Sequence, residues 1–140
     1  MILLDTNVVS ELMKAVPNSN VIQWLDDKIA TQIFISSITK AEIELGIALL
    51  PDGKRKKMLS EAASAMFNEF ETRCLAFDCS AANVYARVVA ENTRSGNPIS
   101  VEDAQIASIA LYKNFLVATR NTRDFEQINQ IKLFNPWQHN

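Results

Sequence analysis

The chain opens on Met1-Ile2-Leu3-Leu4-Asp5-Thr6-Asn7, and this run limits the fold more than any other. Four apolar residues are too few for a buried helix but enough for a strand through a core. Asp5, Thr6 and Asn7 then end the strand with residue types that start helices. A buried strand that delivers an acid at its carboxyl end, followed at once by a helix, is how open α/β sheets build their sites.

The same alternation continues along the chain. Short apolar runs predict strands over 2–4, 32–36, 74–77, 115–118 and 132–134. Longer amphipathic runs predict helices over 6–14, 18–28, 39–50, 54–72, 80–95 and 101–114, with a helical turn near 122–127. In the second helix Val21, Ile22, Leu25 and Ile29 share one face. Pro51-Asp52-Gly53 and Gly96-Asn97-Pro98 supply stop signals. Strands separated by helices mean βαβ units and a mainly parallel sheet. No linker, repeat or low-complexity segment divides the sequence, so one domain over residues 1–140 is expected.

Charge and composition exclude several chemistries. Fourteen Lys and Arg against sixteen Asp and Glu give a net charge of −2, unlike the basic footprint of most nucleic-acid binders. Lys54-Arg55-Lys56-Lys57 is a local exception that fits a solvated first turn of a helix as well as a contact patch. Cys74 and Cys79 are too few for a cysteine-only zinc site and show no disulfide framework, so a reducing cytoplasm is expected. No secretory signal opens the chain, and no apolar run is long enough to span a bilayer. The single histidine, His139, is penultimate, which leaves no well-placed base for a Ser-His-Asp triad or a Cys-His pair. Any catalysis must then rest on carboxylates.

Asp5 ends the first strand, and Glu42 and Asp103 fall in the expected first turns of two later helices. Asn121 follows the strand over 115–118. All four belong at the carboxyl edge of a parallel sheet, where ligands bind. Each has a structural alternative: Asp5 as a helix cap, and Thr39-x-x-Glu42 and Ser100-x-x-Asp103 as capping boxes. Three carboxylates sharing one pocket would repel one another unless a cation sat among them. Hard oxygen ligands select Mg²⁺ or Mn²⁺, which activate water for phosphodiester hydrolysis.

Four ordered motifs carry a resemblance across essentially the whole chain. They are Leu3-Leu4-Asp5-Thr6-Asn7, then Ile35-Ser36-Ser37-Ile38-Thr39-x-x-Glu42-Ile43-x-x-Gly46, then Ile99-x-x-x-Asp103-x-x-Ile106-Ala107, then Val117-Ala118-Thr119-Arg120-Asn121-Thr122-x-Asp124-Phe125. Together they resemble the PIN-domain family and its VapC-type toxins, and the closing Phe134-Asn135-Pro136-Trp137 is similar to the FitB-like branch. The resemblance implies a three-layer α/β/α sandwich around a twisted sheet and a Mg²⁺- or Mn²⁺-dependent endoribonuclease. It further implies the toxin half of a type II toxin–antitoxin pair, acting on structured RNA such as tRNA or rRNA.

Carried over by motif, Asp5, Glu42 and Asp103 would hold the metal, and Thr6 would orient Asp5 or a metal-bound water. The family's fourth acidic position falls on Asn121, a neutral donor that should weaken a second metal site. Asp124, three residues on, could contribute through water. The resemblance also implies a homodimer and an antitoxin that covers the active-site groove as a hetero-oligomer.

Arg87, Arg94, Arg120 and Arg123 are candidate phosphate contacts, and Trp24, Trp137, Tyr85 and Tyr112 fit core or interface better than base stacking. The helix carrying Ile43, Ile47 and Leu50 also bears Leu45, Ala48 and Leu49, so it is either deeply buried or covered by a partner. A rival reading makes the protein a weakly catalytic or non-catalytic binding module that works with a DNA-binding antitoxin as a transcriptional regulator. A third retains the carboxylates for a phosphatase or a DNA-directed nuclease.

Overall fold

A computed structural model describes residues 1–138. His139 lies outside them. Five parallel strands form the sheet in the order β3-β2-β1-β4-β5. They are β1 (Ile2–Leu4), β2 (Ile33–Ser36), β3 (Cys74–Leu75), β4 (Leu116–Ala118) and β5 (Leu133–Phe134). The helices are α1 (Thr6–Leu12), α2 (Ser19–Asp26), α3 (Ser37–Ala48), α4 (Lys54–Glu69), α5 (Cys79–Arg94) and α6 (Val101–Lys113). Short 3₁₀ turns occupy Ala30–Gln32, Thr122–Asp124 and Pro136–Gln138.

The period of two along each strand sorts the core into two layers. Leu4, Ile33, Ile35 and Ala118 face a cluster built with Val8, Val9, Val21, Trp24, Ile43, Ile47 and Phe70, from α1 to α4 and the end of α4. Leu3 and Val117 face the other side, where Ala81 of α5 and Ile106, Ile109 and Ala110 of α6 pack. This is the expected α/β/α sandwich. Trp24 is 3% exposed and stacks on Phe134, with ring centroids 5.3 Å apart. It is therefore core, while Ile29, beyond the end of α2, is exposed.

Most of the helices start on a side-chain cap. Asp5, Ser36, Asp78 and Ser100 cap α1, α3, α5 and α6, their side chains accepting free first-turn N–H groups. The cap at Ser36 corrects the expected boundary. Its hydroxyl takes the Thr39 N–H at 3.2 Å, so α3 starts at Ser37 and Glu42 sits in the second turn rather than the first. Thr39 is thus buried inside α3 and caps nothing with Glu42. Asn114, at φ 58°, ends α6 in the left-handed conformation, which turns the chain directly into β4.

The strand order places a switch point between β1 and β4, because the chain moves outward through β2 and β3 and then crosses back. Crevices open at such points, beyond the carboxyl ends of the strands. Lys56 of the basic cluster donates to Ala48 O and Leu50 O at 3.3 and 3.1 Å, closing the carbonyl end of α3. Leu45 and Leu49 of α3 are 60% and 76% exposed, so that helix is not deeply buried. Among the described residues, no helix is long and apolar enough to cross a membrane.

Candidate active site

Asp5, Thr6, Glu42, Asp103 and Asn121 all line one cleft of ≈ 410 Å³ at the switch point, together with Asn7, Ser10, Glu11, Lys14, Arg120 and Trp137. The anchor is Asp5, 5% exposed at the end of β1. Its backbone N–H continues the sheet by donating to Ala118 O at 2.9 Å. Its Oδ1 accepts the Thr6 N–H at 2.8 Å, and its Oδ2 accepts the Thr119 hydroxyl at 2.7 Å and Asn7 Nδ2 at 3.3 Å. Burial pushes its carboxyl above the usual range, against the lowering effect of the Thr119 and Thr6 bonds.

Thr119 and Asn7 are the residues that sequence reasoning missed. Thr119 is fully buried and has one proton and two lone pairs. The proton goes to Asp5, and the lone pairs take Asn7 Nδ2 at 3.3 Å and the Asn121 N–H at 3.0 Å. Asn7 also accepts the Arg120 N–H at 3.2 Å. The only available signal was a hydroxyl directly after a buried strand, opposite the Asp-Thr-Asn run.

Thr6 reaches a second acid of the cleft. Its hydroxyl donates to Glu42 Oε1 at 2.7 Å rather than to Asp5. With its proton so committed, the 3.0 Å contact to Thr39 must be a bond donated by Thr39. Thr39, Thr6 and Glu42 form a relay that fixes the Glu42 carboxylate from α3, although Glu42 is exposed.

Asp103, half-buried at the start of α6, has its carboxyl raised to about 6. Desolvation is the main cause, followed by repulsion from Asp5, with Asp124 and Glu42 adding to it and Ser100 opposing it. Asp124 thus lies close enough to be felt. It shares a second cleft with Asp103, Arg123, Asn97 and Gln127. Arg120 and Arg123 line these two clefts, whereas Arg87 lines neither and pairs with Glu91 along α5 at 3.6 Å.

Among the described residues, no three His, Cys, Asp or Glu side chains stand close enough to hold a metal ion together as posed. Glu42 rests on Thr6. The donor set nevertheless suits a hard divalent cation: carboxylate oxygens, one neutral amide, and a mutual repulsion that a cation would relieve.

Comparison with known proteins is consistent with this geometry. The PIN domain family matches residues 2–131. The chain is 41% identical to Toxin FitB of Neisseria gonorrhoeae, over 98% of this chain and 99% of that protein. This chain is a PIN-domain protein of the VapC/FitB toxin type. It is also 38% identical to VapC ribonuclease Y4jK of Sinorhizobium fredii, over 99% of each. The structure of FitAB bound to the IR36 DNA fragment superposes with a TM-score of 0.91 at 40% identity, covering 100% of this chain and 98% of that one.

Proposed function

We propose that the protein is a toxin that cleaves RNA with a divalent metal and is silenced by an antitoxin. One observation carries this reading: acids from the end of β1, from α3 and from α6 line a single cleft, where burial first, and then repulsion from Asp5, raise Asp103 to about 6. Asp5, Asp103 and Glu42 would hold Mg²⁺ or Mn²⁺, with Asn121 a neutral fourth donor. When bound, the ion supplies activation of water and charge neutralisation for phosphodiester hydrolysis. Thr119 keeps the Asp5 carboxylate aimed, and the Thr39–Thr6 relay keeps Glu42 aimed. Arg120 and Arg123 offer charge to the flanking phosphates, whereas Arg87 is turned to Glu91 and Lys14 is paired with Glu11 at 2.9 Å. Water attack leaves a 5′-phosphate and a 3′-hydroxyl, with no cyclic phosphate. The working place of such an enzyme is the cytoplasm, where structured tRNA and rRNA are the targets.

The antitoxin's seat is the apolar groove that leaves this cleft past Met13, Ile43, Ile47, Leu50 and Leu59. The exposed Leu45 and Leu49 offer a further apolar surface, to a second copy in a homodimer or to the antitoxin in a hetero-oligomer. The test is cleavage of total RNA by antitoxin-free protein in Mg²⁺ or Mn²⁺, with EDTA and Asp5→Asn as controls. Discrete cuts with 5′-phosphate ends, lost in both controls, are expected. Folded protein that cuts no RNA class in either metal would sink the reading.

A second reading has its own observations: Asn121 in place of an acid, and a FitB relative in a DNA-bound complex. There the chain acts chiefly as the partner of a DNA-binding protein. Repression that survives Asp5→Asn unchanged, in a protein without cleavage, would favour it.

A further inference from the structure

Trp137 has no part in the acid chemistry, yet it lines the same cleft as Asp5 and Asp103. Its position is fixed on both sides. Its N–H donates to Asn135 Oδ1 at 3.0 Å, and its carbonyl accepts Asn20 Nδ2 at 2.9 Å. The Arg120 guanidinium lies over the indole, 5.1 Å from the ring centroid. The same Asn135 amide that holds Trp137 also donates to Arg120 O at 3.4 Å. Asn7 then ties Arg120 to the acid site, accepting the Arg120 N–H at 3.2 Å while donating to Asp5 at 3.3 Å. An aromatic ring and a cation are thus held together and coupled to Asp5 through one side chain.

Trp137 is partly buried and packs against the core, but packing does not account for Arg120. Trp24 already fills the core against Phe134, whereas Arg120 is exposed and stands at the cleft wall. A guanidinium laid over an indole suits an unpaired nucleobase, which stacks on the outer face of the guanidinium plane with the indole behind it, while the positive charge meets the adjoining phosphate. A duplex keeps its bases stacked inside and cannot use such a surface.

We infer that Arg120 and Trp137 form a platform for one unpaired nucleobase next to the phosphate held over Asp5, so that the enzyme selects loops or single strands. The inference rests on the ribonuclease reading for its role but not for its detection. A short single-stranded oligoadenylate and an abasic oligomer of equal length are titrated into metal-free protein in EDTA, while indole fluorescence is followed. Trp24 is buried, so the responding signal belongs to Trp137, and its loss in Trp137→Phe checks this.

Saturable quenching by oligoadenylate and not by the abasic oligomer is expected. Binding of labelled oligoadenylate should weaken ~10-fold in Trp137→Leu but little in Trp137→Phe, which keeps a ring. Circular dichroism checks that both variants fold. Equal binding of both oligomers without quenching would overturn the platform. So would quenching by an antitoxin peptide alone, which would make Trp137 part of the protein partner's seat. If the platform fails while Asp5-dependent cleavage of total RNA persists, the ribonuclease reading stands without it. Quenching by oligoadenylate in a protein that cuts no RNA would do the reverse.

Discussion

Replacing Thr119 with valine should separate the buried hydroxyl from everything else at its position. The two side chains have nearly the same shape, so no cavity opens. What disappears is the 2.7 Å bond to Asp5 Oδ2 and the acceptor for the Asn121 N–H and for Asn7 Nδ2. A hydrogen bond to a buried charge is worth about 1.5–3 kcal/mol. Asn121 is exposed, so water replaces the second bond at little cost. Asn7 still donates to Asp5, at a longer 3.3 Å. The expected loss is therefore about 2 kcal/mol near neutral pH.

The pH dependence has a definite sign. The Thr119 bond lowers the Asp5 pKa, against the raising effect of burial. Without it, the variant's Asp5 takes up its proton at a higher pH than the wild type's. The deficit is thus complete where both carboxyls are ionised and shrinks as pH falls, to about 1 kcal/mol once both are neutral. Urea unfolding at a series of pH values would measure it. Thr119→Ser retains the bond, so it should lose only about 1 kcal/mol of buried methyl, with no added pH dependence. A Thr119→Val deficit below about 0.5 kcal/mol, or one equal at every pH, would refute the view that this hydroxyl supports an ionised Asp5.

Asp103 should make the metal-free protein sensitive to pH in the opposite sense. Its folded pKa, raised to about 6, means that the folded state holds the proton more tightly than the unfolded one. That contribution is present in acid and is lost as pH rises through about 6. The Tm in EDTA should therefore fall more steeply over this interval in the wild type than in Asp103→Asn; equal slopes would count against a raised Asp103 carboxyl. Asn121→Asp should tighten Mg²⁺ binding roughly tenfold by calorimetry, as a charged ligand replaces a neutral one; unchanged affinity would place residue 121 outside the metal's reach. Trp24→Ala should cost about 3–5 kcal/mol in urea unfolding, because it empties a buried, stacked position. A cost under about 1 kcal/mol would mean that the stack contributes nothing beyond shape.

The strands were legible because each is an apolar run bounded by polar residues, and the alternation of Leu3 with Leu4 already encodes two core layers. The carboxylates were legible by their places at strand ends and helix starts. The boundary of α3 was less so: Ser36 and Thr39 both suit a cap, and only the 3.2 Å bond from Thr39 N–H to Ser36 identifies which one serves. That choice moved Glu42 by most of a turn and gave Thr6 its actual partner. Thr119 and Asn7 escaped notice because a threonine after a strand carries no signal of what it faces. Its role depends on β4 lying beside β1, which local sequence does not state. Trp137 was read as core or interface, and it does pack against the core; that its other side lines the cleft was visible only in three dimensions.

The strand that carries Asp5 lies in the middle of the sheet, and one of its two neighbours, β4, comes more than a hundred residues later. The Thr119–Asp5 bond spans 114 positions. During synthesis from the N-terminus, β1 must therefore wait unpaired on that side until nearly the whole chain has emerged. A nascent or prematurely terminated chain would carry Asp5 and Glu42 but neither Thr119 nor the crevice. The topology thus delays the acid cleft until the end of synthesis, since it cannot assemble before the strand after α6 has docked.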